Sequence, residues 1–217
     1  MPGPAQRGRL PGPRQLKSGA QGHKKYQAPK KGVVATIAAM QAATHPALGP
    51  LIEQVLSASA QRSPVRVRGG DTKAFLGQAA RSPAQVLDMR DLSGVVAYEP
   101  TELVITALAG TPLAEIEALL AQHGQCLPFE PPHFGPGATV GGMVAAGLSG
   151  PARASVGAVR DFVLGVQVLN GRGELLTYGG QVMKNVAGYD VSRLMAGSWG
   201  TLGLIVEVSL KVLPVAP

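Results

Sequence analysis

Apolar residues recur along most of the chain at two spacings, and these predict where helices and strands lie. Leu48, Leu51, Ile52, Val55 and Leu56 share one face at helical intervals behind Thr44 to Pro46, a cap with proline in the first turn. That helix should end near Ala60, and His45 beside its cap reads as solvated. Val65 to Arg68 alternates apolar and basic residues, the pattern of a half-buried strand, and runs directly into Gly69 and Gly70. Further strands are predicted at Gln85 to Met89, Val95 to Tyr98 and Leu103 to Ala107, separated by the turn signals at Arg90 to Gly94 and at Glu99 and Pro100. Thr111 and Pro112 open a second helix with Leu113, Ile116, Leu119 and Leu120 as its buried stripe. Glu115 and Glu117 suit its positive N-terminal half, and Gly124 stops it.

Past a small-residue stretch from Ala138 to Gly150, the pattern predicts a loop over Pro151 to Arg160 and a strand over Asp161 to Leu169. Asn170 and Gly171 mark a turn, so Glu174 to Tyr178 should return antiparallel as a hairpin. Met183 to Asp190 leads into a short helix, Val191 to Ala196, with Asp190 as its N-cap. Leu202 to Leu213 alternates as one long final strand. Strand, strand, helix, strand is the order of a mixed helix-and-sheet fold.

Composition narrows the function classes. With 217 residues, 45% hydrophobic, the chain can bury the core of one good-sized domain or two small ones. Its longest apolar run, Gly32 to Met40, is far too short to span a membrane. The formal charge of +7 is concentrated in the first 31 residues, which hold eight basic residues and no acid. From Gly32 onward 12 basic residues face 13 acidic ones, so the folded part is near neutral and a specific nucleic-acid interface is disfavoured.

Residues 1–43 read as a disordered basic tail: their Pro, Gly, Gln and basic composition buries too little surface to offset the entropy of ordering. Pro2, Pro4, Pro11 and Pro13 preclude the regular amphipathic helix of a transit peptide, and Met40 offers a later natural start. Deleting residues 1–31 should leave the melting temperature unchanged within a few degrees; a larger fall in thermal melts would mean that the tail packs on the domain. The single cysteine, Cys126, excludes an intrachain disulfide and a cysteine metal cluster, and reads as a small buried hydrophobe in a short strand rather than a nucleophile.

Three glycine-rich turns stand beside apolar strands: Arg68 to Lys73, Ala138 to Gly150, and Gly197 to Gly203. Glycine lets the backbone approach a ligand and present N–H groups, a cradle for anions that needs no side-chain charge. Taken alone, the middle stretch reads better as a tight turn into a small-residue helix in a core. Together the three turns suggest one extended ligand with polar groups. Gly-x-Gly-x-x-Gly and Gly-x-x-x-x-Gly-Lys-Ser/Thr are both missing at the first strand, against a Rossmann dinucleotide unit or a phosphate-loop nucleotidase.

Five segments in order, Val67 to Lys73, Pro128 to His133, Ala138 to Gly142, Lys184 to Asp190 and Gly200 to Gly203, resemble the FAD-binding domain of the vanillyl-alcohol oxidase and p-cresol methylhydroxylase type. More narrowly, the chain from about Met40 is similar to the smaller flavin subunit of multi-subunit glycolate oxidases. The resemblance implies an α+β fold in which two subdomains, mixed sheets flanked by helices, hold a noncovalent, extended FAD. It implies a pyrophosphate cradle at Gly69, Gly70, Asp71, Thr72 and Lys73. It also implies a turn against the flavin end at Thr139, Val140, Gly141 and Gly142, and a last contact segment at Gly200, Thr201, Leu202, Gly203 and Ile205. Trp199 departs from the pattern, standing where many relatives carry glutamate.

His133 belongs either to a flavin-proximal loop or to a rigid turn with a solvated imidazole, whereas Lys184, Tyr189 and Asp190 suit helix entry better than catalysis. The FAD-binding domain is expected over residues 44–217, with the family's C-terminal cap domain absent. No catalytic residue and no metal ligand is assigned. An uncapped flavin face leads us to expect weak flavin binding and no glycolate turnover by the chain alone. By resemblance the substrate is a small 2-hydroxy acid, and the partners are a larger flavin subunit and an iron–sulfur subunit. The location is cytoplasmic, with membrane association only through those partners. A noncatalytic assembly subunit with a vestigial flavin site is the alternative.

Overall fold

The computed structural model describes residues 45–77, 84–180 and 189–215. The basic tail, Thr44 of the first cap and the segment Lys184 to Gly188 lie outside them.

Helix α1 (Leu48–Gln61) forms because Leu48, Leu51, Ile52, Val55 and Ala58 fall on one stripe, all buried. Leu56, expected on that face, is 40% exposed: it lies off the stripe, and Ala58 takes the place one turn on from Val55. The helix ends at Arg62, whose left-handed backbone (φ 52°) turns its N–H back onto the carbonyls of Ala58 and Ser59. His45 is half-buried, its Nδ1 accepting the N–H of Ala47 at 3.3 Å.

Strands β1 (Val65–Arg68) and β2 (Gln85–Asp88) pair in parallel as a small sheet of their own. The larger sheet has five strands in the order β3-β4-β8-β6-β7, every neighbouring pair antiparallel. They are β3 (Val95–Glu99), β4 (Val104–Leu108), β6 (Val163–Leu169), β7 (Leu175–Gly179) and β8 (Leu204–Lys211). Two-residue strands β5 (Gln125–Cys126) and β9 (Leu213–Pro214) pair with each other, so the long final strand expected from the sequence changes partner after Val212: the Val212 N–H still continues the β4 ladder onto Leu103 O, and Leu213 then pairs with Cys126. In the β6–β7 hairpin the left-handed residue is Gly173 (φ 72°), while Asn170 Oδ1 closes the turn by accepting the N–H groups of Arg172 and Glu174.

Two hydrophobic cores sit on this frame. One packs α2 (Leu113–Ala121) and α3 (Val140–Ala146) over the five-stranded sheet through Ile116, Leu120, Phe129, Met143, Val208 and Leu210. The other packs α1 and β2 through Ile52, Val55, Leu87, Leu92, Leu204 and Val206. Strand β8 supplies both. Alternation puts Ile205 in the first core and Leu204 and Val206 in the second, and a register shift opposite Gln167 and Val168 then brings Val208 and Leu210 onto the face of Ile205. The fold is therefore α+β, as expected. The loop expected over Pro151 to Arg160 instead contains a short helix α4 (Arg153–Val156) and a 3-10 turn at Val159–Asp161, both built from local bonds such as Val156 N–H to Ala152 O. Helix α5 (Val191–Leu194) starts as predicted, with Asp190 accepting the N–H of Arg193.

Candidate functional site

The three glycine turns meet. A Cβ on Gly70 would lie 1.4 Å from the Gly137 carbonyl oxygen, and one on Gly69 would lie 2.5 Å from Thr139 Oγ1. The turn after β1 is thus in backbone contact with the turn before α3, and only glycine permits it. At the far end of α3, the N–H groups of Gly197 and Trp199 donate to the carbonyls of Val144 and Ala145, both at 3.0 Å. Gly200 closes the triangle, its would-be Cβ 3.3 Å from Val67 in β1.

Within this junction the main-chain N–H groups of Gly69, Gly70, Asp71, Thr72 and Lys73 have no acceptor among the described residues. Five consecutive donors at the end of a strand, without an acceptor among the described residues, suit an anion cradle. Asp71 adopts the left-handed conformation (φ 55°) and turns its carboxylate to the Arg66 guanidinium. Lys73 reaches the His133 carbonyl at 3.5 Å and lies over the Phe134 ring, 5.6 Å from its centroid; burial pushes its pKa down. Phe75 meets Phe134 edge-on at 5.2 Å, further locking the two loops together.

The middle stretch works differently from what the sequence suggested. Val140, Gly141 and Gly142 do not offer their N–H groups outward: they donate to Thr111 O, Ala109 O and Thr139 Oγ1. Gly141 is glycine because a Cβ there would lie 2.6 Å from Ala109 Cβ. These positions form a small-residue helix whose N–H groups bond within the chain, and Val140 and Ile205 are buried in the main core. Gly203 packs against Val168, whereas Gly200 is half-exposed and Thr201 and Leu202 are exposed. His133 is neither free nor fully solvated, since its Nε2 meets Glu117 Oε1 at 3.0 Å. Cys126 is half-buried and burial pushes its thiol pKa up, which suits a packing residue.

Sequence reasoning missed a charge cluster at the base of the cradle. Asp88 accepts from Arg90 Nη2 at 2.6 Å and from Arg68 Nη2 at 2.7 Å. The signal was the parallel register pairing Arg68 with Asp88, which composition does not reveal. The Arg90 hydrogen bonds, followed by that of Arg68, hold the Asp88 carboxyl well below the usual range despite burial. A depressed native pKa contributes stability that is complete above the ordinary value of 3.8 and lost as pH falls through the native one. Asp88→Asn should therefore lower the melting temperature by a few degrees at pH 7 and progressively less below pH 4. Melts across that range check this, and a difference that does not shrink with acid refutes it.

The glycine junction, the two-core α+β architecture and the main-chain donors after β1 suit a nucleotide-binding domain. The FAD binding domain family matches residues 50–179, and the chain belongs to that family. It is 57% identical over 164 residues to the glycolate oxidase subunit GlcE of Escherichia coli (strain K12), covering 76% of this chain and 46% of that protein. It is 31% identical over 156 residues to a mitochondrial D-lactate dehydrogenase [cytochrome] of Arabidopsis thaliana, covering 72% of this chain and 27% of the relative. A solved alkyldihydroxyacetonephosphate synthase superposes with a TM-score of 0.60 at 24% identity, over 76% of this chain and 30% of that one, a likeness of fold. The chain thus spans less than half the length of these relatives.

Proposed function

We propose that this chain is the FAD-binding part of a glycolate oxidase-like complex that oxidises a 2-hydroxy acid to the 2-oxo acid. The 57% identity to the Escherichia coli glycolate oxidase subunit carries the reading. The free N–H run from Gly69 to Lys73 supports it physically. When bound, FAD would supply the two-electron acceptor for a hydride leaving the substrate carbon. The chain's own residues bind and orient. Gly69 to Lys73 meet the pyrophosphate with main-chain donors, Lys73 adds a positive charge, and the Asp71 carboxylate is kept by Arg66. The remaining positions, Thr139, Val140, Gly141, Gly142, Gly200, Thr201, Leu202, Gly203 and Ile205, shape the site mainly through backbone and packing. Binding is noncovalent, with His133 engaged by Glu117 at the site's edge.

The partners in this reading are a larger flavin subunit and an iron–sulfur subunit, in the cytoplasm. No helix among the described residues is long and apolar enough to cross a membrane. Absorption spectra of the purified chain, alone and reconstituted with FAD and partners, test the proposal. Flavin bands bleached by glycolate are expected in the assembled complex. A folded chain that takes up no flavin would instead make it an assembly subunit, and bleaching by a different 2-hydroxy acid would move the substrate.

A further inference from the structure

Trp199 is the chain's single tryptophan, and its indole is 49% exposed. Its backbone is nonetheless tightly placed. It adopts the left-handed conformation (φ 52°), rare for a large residue, and is pinned by its N–H bond to Ala145 O at 3.0 Å. Its neighbour Ser198 is buried. A strained, fixed backbone that presents a large aromatic face to the outside needs a reason in what the face meets.

Among the described residues that face shares an open recess of about 440 Å³ with Leu76 and Gly77. Leu76 is 38% exposed and stands three residues past Lys73, the end of the free N–H run. The Trp199 turn is joined to the strand leading into that run through Gly200 against Val67. An aromatic wall, an aliphatic neighbour and a glycine floor beside an anion cradle suit a flat heteroaromatic ring attached to a phosphate. We propose that Trp199, with Leu76, is the stacking platform for the adenine ring of FAD. Adenine rather than the isoalloxazine fits, because only one ribose separates adenine from the pyrophosphate, whereas the flavin ring lies at the end of a five-carbon chain. The inference rests on reading Gly69 to Lys73 as the pyrophosphate cradle.

The test titrates FAD and ADP separately into the wild-type chain, Trp199→Phe and Trp199→Leu, with heat of binding as the readout. Trp199→Phe should bind both within about threefold of wild type, and Trp199→Leu should bind both at least roughly tenfold more weakly. ADP absorbs no light in the range of tryptophan emission, so quenching of that emission by ADP is a direct sign of stacking. If Trp199→Leu weakens FAD but leaves ADP unchanged, or changes neither, the assignment is overturned. It is equally overturned if ADP leaves the wild-type emission unaltered, a measurement that stands even should Trp199→Leu fail to fold. Wild-type chain that binds neither ligand would remove the cradle reading itself, a result distinct from FAD binding that is indifferent to residue 199.

Discussion

Gly70→Ala is expected to cost at least roughly a hundredfold in FAD affinity while lowering the melting temperature by only a few degrees. The added Cβ would sit 1.4 Å from the Gly137 carbonyl oxygen, a main-chain atom that no rotamer change can move aside. The turn after β1 and the turn before α3 must then separate. Of the residues in the two turns only Ala138 belongs to a hydrophobic core, so the damage to stability stays smaller than the damage to binding. The loop that carries the five N–H groups from Gly69 to Lys73, however, loses the contact with Gly137 that fixes its place, and a cradle depends on the placement of its donors. Lys73→Ala should weaken FAD far less, by about tenfold, since it removes one half-buried charge and leaves the main-chain donors in place. Equilibrium titration with FAD beside thermal melts separates the two quantities. A folded Gly70→Ala protein that binds FAD like wild type would place the pyrophosphate elsewhere.

Periodicity exposed most of this fold because most of it is decided locally. The stripe Leu48, Leu51, Ile52 and Val55 can be satisfied only as a helix with one buried face; Val65 to Arg68 also forms its strand, but with Val65 and Arg66 exposed and Val67 and Arg68 half-buried its burial does not alternate. What escaped depends on distant pairing. The end of β8 is set by the change of partner from β4 to β5 after Val212, and the move of Val208 and Leu210 onto the face of Ile205 comes from the register shift opposite β6. The site shows the same division. The glycine turns were visible as sites of backbone approach, yet the sequence does not say what the backbone approaches. At Gly70 it is another loop, at Gly141 a strand end, and at Gly200 the side chain of Val67. The partnership of Asp88 with Arg68 and Arg90 was hidden for the same reason, since it exists only once β1 and β2 align.

Gly141→Ala should do the opposite of Gly70→Ala and damage the whole domain. Within a helix this exchange ordinarily stabilises by about 0.5–1 kcal/mol, because alanine loses less backbone entropy. Here the new methyl would lie 2.6 Å from Ala109 Cβ and 2.9 Å from the Ala109 carbonyl oxygen, the same oxygen that accepts the Gly141 N–H at 2.8 Å. Helix α3 cannot retreat without withdrawing Val140, Met143 and Val144 from the main core, where each is at most 1% exposed. Overpacking of this kind costs about 1–3 kcal/mol, and it must also overcome the helix preference of alanine. A fall of roughly 5–10 °C in melting temperature is expected. Gly142→Ala is the internal comparison: its added methyl would meet only Thr139 Oγ1, at 3.0 Å, so its melting temperature should stay within a few degrees of wild type. FAD binding by Gly141→Ala should survive at temperatures well below its melting point, because the N–H groups of Gly141 and Gly142 are already spent inside the protein. Selective loss of FAD at low temperature, with stability intact, would show that these glycines touch the cofactor directly and that their packing role is secondary.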